Sequence, residues 1–157
     1  MKPFAQRGFT LLELLIVMAV IGAVLATASL AMGPDPHRQG RQTLAELGAR
    51  LSTLREQAVL LDSQYGIALN EAGWQAMALR EGAWTALPPT GALGTGMAWQ
   101  LMVEGQAVLL PATGPAKPQL LALASDELSS FELHLRWQGQ SVGVLRTDGA
   151  GDPELQP

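Results

Sequence analysis

Apolar and polar positions follow three successive spacings along this 157-residue chain. Leu14 to Met32 is a run of 19 residues without a charge, about 28 Å long as a helix, against a bilayer hydrocarbon core of about 30 Å. It is long enough to span. Gly33, Pro34, Asp35 and Pro36 interrupt it, because proline lacks a backbone donor and disfavours helix in the residue before it; a kink or short break is expected there. From Arg38 to Asp62 the apolar residues recur three and four apart, at Leu44, Leu47, Leu51, Leu54, Ala58 and Leu61, with Glu46, Arg50, Arg55 and Glu56 off the stripe. That period predicts an amphipathic helix. The stripe is short for a coiled coil with a partner, so its expected contact is the chain's own domain.

Beyond Tyr65 the spacing changes again, to short apolar or alternating runs separated by glycine and proline, which predicts strands and turns. Strands are expected at residues 66–69, 74–79, 84–87, 97–103, 107–110, 119–124, 131–137 and 142–147. In FELHLRW, Phe131, Leu133, Leu135 and Trp137 share one face and Glu132, His134 and Arg136 the other. A hairpin through Gln138, Gly139 and Gln140 joins it to the last of these strands. Residues 88–96 and 111–118, rich in glycine, proline, alanine and threonine, read as loops. There is no internal repeat.

Composition narrows the function by exclusion. A net charge of -4 with no basic cluster argues against nucleic-acid binding. With no cysteine, neither a disulfide framework nor a thiolate metal site is possible. Catalytic chemistry is thin: His37 and His134 lie in different elements, and His134 reads as the exposed face of a strand. Ser63 and Ser125 lack a nucleophile elbow, and there is no H-E-x-x-H or phosphate loop. Neither an enzyme, nor a cofactor, nor a small-molecule substrate is expected. TDGAGD, Thr147 to Asp152, brings two carboxylates and two glycines together but lacks the acid spacing of a calcium loop, so a plain turn is expected and no metal. Trp74, Trp84, Trp99 and Trp137 all fall in expected strands and are assigned to the core.

The first 32 residues carry the sharper signal. Lys2 and Arg7 precede the apolar run with no acid among the first eight residues, which places the N-terminus in the cytoplasm and the remainder across the membrane. One reading is an ordinary signal peptide cut near Ala26-Thr27-Ala28, releasing a secreted soluble binding protein that begins near Ser29. It leaves Glu13 unexplained, since a charge at the bilayer centre costs about 2.5–3.5 kcal/mol on insertion scales. The other reading comes from RGFTLLELL: a basic leader ending in Gly8, then Phe9, then Glu13 as the fifth residue after the glycine. This resembles the N-terminal signal of type IV pilins and pseudopilins. The resemblance implies that a prepilin peptidase cuts between Gly8 and Phe9 and methylates the new Phe9 amine, and that the apolar helix is retained. It also implies that Glu13 pairs with the Phe9 amine of a neighbouring subunit, setting register in a filament.

Two further stretches are similar to the minor pseudopilin H family of type II secretion and to related FimT/FimU minor pilins: LSTLREQAVLLDSQYGIAL, Leu51 to Leu69, and SSFELHLRWQGQSVGVLRTDGAGD, Ser130 to Asp152. The absence of a cysteine pair leans toward secretion over a pilus. The resemblance implies an α+β, type IV pilin-like fold with a long kinked N-terminal helix and a C-terminal domain of antiparallel sheets. Its parts are a leader over residues 1–8, a transmembrane or filament-core helix over 9–32, an amphipathic periplasmic helix over 33–64 and a β-rich domain over 65–157. It implies a bacterial inner-membrane location with the domain in the periplasm. Its implied partners are the prepilin peptidase, minor pseudopilins of the I, J and K types and the major pseudopilin, and its implied work is to join tip to shaft of a periplasmic pseudopilus. A minor pilin of a type IV pilus is the alternative.

Overall fold

A computed structural model of the chain describes residues 11–31, with side chains to 25, and residues 35–114 and 117–157. Two compact units result, residues 1–35 and 36–157. The first contains helix α1, Leu11–Ala31. The kink expected at Gly33 and Pro34 lies outside the described residues.

The second unit opens with α2, Pro36–Leu60. Asp-Pro is a strong start, since a short polar side chain suits the cap and proline's fixed φ suits the first helical position. At the other end Ser63 N–H reaches back to the Ala58 carbonyl at 3.1 Å while Asp62 takes a left-handed φ of 45°, a helix-closing turn that usually carries glycine. The helix therefore ends two residues before the expected Asp62. Leu44, Leu47, Leu51, Leu54 and Ala58 are all 0% exposed, whereas Leu61, the last residue of the expected stripe, is 64% exposed because it lies past this turn.

Nine strands follow among the described residues: β1 Tyr65–Asn70, β2 Gly73–Arg80, β3 Ala83–Ala92, β4 Met97–Val103, β5 Gln106–Val108, β6 Leu120–Ala122, β7 Phe131–Trp137, β8 Gln140–Thr147 and β9 Glu154–Gln156. They form two antiparallel sheets, β3-β2-β1-β6 and β5-β4-β7-β8-β9. Three hairpins turn through two residues with positive φ, Glu81-Gly82, Glu104-Gly105 and Gln138-Gly139, the geometry whose twist matches paired strands. Gln140, expected in the turn, pairs with Trp137 instead. Leucines of α2 share one apolar core with Ile67, Leu69, Leu101, Leu133, Leu135 and Leu145, so helix and both sheets are held by the same burial.

β3 departs most from expectation, continuing to Ala92 through Pro88 and Pro89 where a loop was expected. Strand β2 pairs with it on one side only, and a register shift beside Gln75/Ala76 absorbs the prolines, which an edge strand tolerates because its outer face needs no ladder donors. Of the four tryptophans only Trp74 is buried, at 6% exposed; Trp99 and Trp137 are half-buried against the core. Trp84 pairs with Leu79, one residue out of phase with the core residues Ala76 and Ala78. It therefore lies on the outer face of its sheet, which corrects its assignment to the core. His134, expected to be exposed, is about a third exposed and lies 3.5 Å from Glu132.

Glycines set how closely α2 approaches the sheets. A Cβ at Gly40 would stand 2.6 Å from Val142 Cγ1 and 3.0 Å from Leu135 Cδ2, while one at Gly48 would meet Leu145 Cδ1 at 3.1 Å. Gly48→Ala is thus expected to be neutral or to stabilise by up to about 1 kcal/mol, helix propensity offsetting a flexible leucine's shift. Gly40→Val is expected to destabilise by about 1–3 kcal/mol through overpacking. Thermal unfolding of the two variants checks the ordering.

Candidate functional site: the N-terminal apolar helix

The first helical turn of α1 contains Glu13, whose carboxylate suits the positive end of a helix dipole. Around it the helix offers no polar face. Leu12 is 70% exposed, Leu14 56%, Leu15 71% and Val17 45%, and exposed apolar side chains continue to Leu25. Leucine, isoleucine, valine and methionine point in every direction, so no stripe distinguishes one side. A helix apolar all round needs an apolar medium or a bundle of other helices on every side. The described side chains reach only Leu25, and among the described residues no helix is long and apolar enough to cross a membrane; the expected span, Leu14 to Met32, runs beyond them.

Gly8 and Phe9, the expected cleavage and methylation residues, lie outside the described residues. Only Glu13 of the three expected site residues is placed, and it is exposed to solvent on α1. Among the described residues no group of three or more His, Cys, Asp or Glu is arranged to hold a metal ion. The TDGAGD turn is occupied otherwise. Thr147 Oγ donates to the Gly151 carbonyl at 3.0 Å and accepts from Gly149 N–H at 3.1 Å, while Asp148 accepts from Ala150 N–H at 3.1 Å.

Comparison with known proteins fits this helix. Residues 3–29 match the model of the prokaryotic N-terminal methylation motif. The type II secretion system protein H of Pseudomonas aeruginosa is 31% identical over 159 residues, covering 94% of this chain and 92% of that protein. The chain belongs to the type II secretion system protein H family. The member from Aeromonas hydrophila is 29% identical, covering 94% of this chain and 90% of its own. Solved structures share the protein H fold. The crystal structure of the minor pseudopilin EpsH from the type II secretion system of Vibrio cholerae superimposes with a TM-score of 0.66 at 19% identity, over 78% of this chain and 96% of that one. The solution structure of Escherichia coli GspH gives 0.61 at 18% identity, over 76% and 89%. Family membership makes this chain a minor pseudopilin, a structural subunit with an α+β, pilin-like fold.

Proposed function

We propose that this protein H works as the link between tip and shaft of the periplasmic pseudopilus and so supports export of folded proteins across the outer membrane. The observation that carries the reading is a helix apolar on every side with one acid in its first turn, following a methylation-type leader. In this reading the prepilin peptidase cuts between Gly8 and Phe9 at the cytoplasmic face and methylates Phe9. The cut precedes the helix, so the anchor stays in the inner membrane with residues 36–157 in the periplasm. On assembly the helix exchanges lipid for the helices of other pseudopilins, of the I, J, K and major types, without exposing apolar surface to water.

Intact-mass analysis of the chain purified from membranes tests the first step. A mature protein beginning at methylated Phe9 is expected; a chain beginning near Ser29 would overturn the reading. Loss of exoprotein secretion on deletion, with pili and twitching unaffected, supports secretion against a pilus role.

A further inference from the structure

We propose that Arg55 is a charge clasp, fastening two loops, residues 124–130 and 147–152, to α2 and holding the acidic end of the domain in one arrangement. The guanidinium grips Asp126 with both arms, Nε to Oδ1 at 2.7 Å and Nη2 to Oδ2 at 3.2 Å, and Nη1 reaches Asp152 Oδ1 at 3.3 Å. Asp126 and Asp152 belong to different loops, and no sequence neighbourhood brings either to Arg55. The arginine side chain is 18% exposed while the two carboxylates are 60% and 71% exposed, so the cation is set in the fold and the anions are drawn to it from the solvent side.

The loops need such a clasp. Asp126, Glu127, Asp148 and Asp152 put four like charges on them, which repel. Their backbones also take positive φ, easy for glycine but uncommon for other residues. Asp126 holds a φ of 69°, and Gly149 holds a φ of 102° with the Leu128 carbonyl 2.7 Å from where a Cβ would stand. Leu128 N–H donates to the Gly149 carbonyl at 2.9 Å, so the two loops are tied to each other. A planar fork matches a carboxylate with both arms, and lysine cannot reproduce it.

The clasp is sensitive to acid and salt. Arg55 holds the Asp126 carboxyl below its ordinary value, chiefly through their hydrogen bond, and Asp126, Asp152 and Glu56 together hold the Arg55 guanidinium protonated. A depressed carboxyl contributes stability above its unfolded value and loses it as pH falls through the folded one. The loops accordingly stay closed at neutral pH and release only in acid, as pH falls below the ordinary carboxyl range through the depressed value of Asp126. Because the carboxylates face water, added salt also weakens the grip.

Hydrogen exchange read by mass spectrometry on the full chain in detergent micelles tests this. At pH 7, Arg55→Met is expected to raise exchange in residues 124–130 and 147–152 by about tenfold, leaving β7 unchanged. Raising salt from about 0.1 to about 1 M should speed the same amides in the wild type and not in the variant. Arg55→Lys should fall between the two, keeping the charge without the fork. Should Arg55→Met loosen the whole domain, the pair Asp126→Asn and Asp152→Asn, which leaves the arginine in place, should still open both loops alone. Wild-type exchange in that double variant, or an equal salt response in Arg55→Met, overturns the proposal.

Discussion

Leu51→Ala is expected to lower the unfolding free energy of the residue 36–157 unit by about 3–4 kcal/mol, a large share of the 5–15 kcal/mol typical of a domain. Leu51 is 0% exposed, sits near the middle of α2 and belongs to the core shared by both sheets, so truncation leaves a cavity that neither layer closes alone. The matching control is Leu60→Ala at the end of the same helix. Leu60 is 81% exposed, and its loss should change stability by no more than about 0.5 kcal/mol. Urea unfolding should show a lower midpoint with an unchanged slope for Leu51→Ala. Equal effects of the two substitutions would mean that the stripe does not organise the core.

That contrast also shows which parts of the fold were legible in the sequence. A period of 3.6 ran cleanly through Leu44 to Ala58, and α2 buries those residues; it overran at Leu61 because hydropathy does not register a left-handed Asp62. β4 and β7 fall at residues 97–103 and 131–137 as expected, β7 with the alternation that predicted it. β3 was cut short at residue 87 because Pro88-Pro89 reads as a break, and whether a strand lies at an edge is a property of the sheet, not of the segment. β9, three residues after a turn, is too short to show any period.

Tryptophan burial failed at one of the four, Trp84, for a related reason. Size alone assigned all four to the core, but the register of β2 and β3 turns Trp84 outward with Leu79. Arg55 had no local signal at all. Its partners lie 71 and 97 residues away, and only the folded chain joins them. The N-terminal motif was the opposite case, a chemical signal in consecutive residues that needs no fold to be read. The structure places Glu13 of that motif on α1, and Gly8 and Phe9 lie outside the described residues.

Glu13→Ala is expected to leave membrane insertion, cleavage and methylation intact while reducing incorporation into the pseudopilus by well over tenfold. Removing a carboxylate from an apolar helix favours the lipid-bound state, by about 2.5–3.5 kcal/mol if the charge lies deep. A stability role therefore predicts no loss. Assembly is the step at which the charge earns its cost, because there the Phe9 amine of one subunit is proposed to meet Glu13 of another. An amine left in an apolar bundle without its carboxylate destabilises the contact by about 3–5 kcal/mol, which is roughly a hundredfold to several-thousand-fold in the pairing equilibrium. Glu13→Gln separates charge from shape: it keeps size and hydrogen bonding but should fail nearly as badly, since an amide does not neutralise the amine. Intact mass of the membrane form and crosslinking into sheared pseudopili read the two steps separately. Incorporation of Glu13→Gln at the wild-type level would show that polarity alone suffices, and the register role of an ion pair would have to be abandoned.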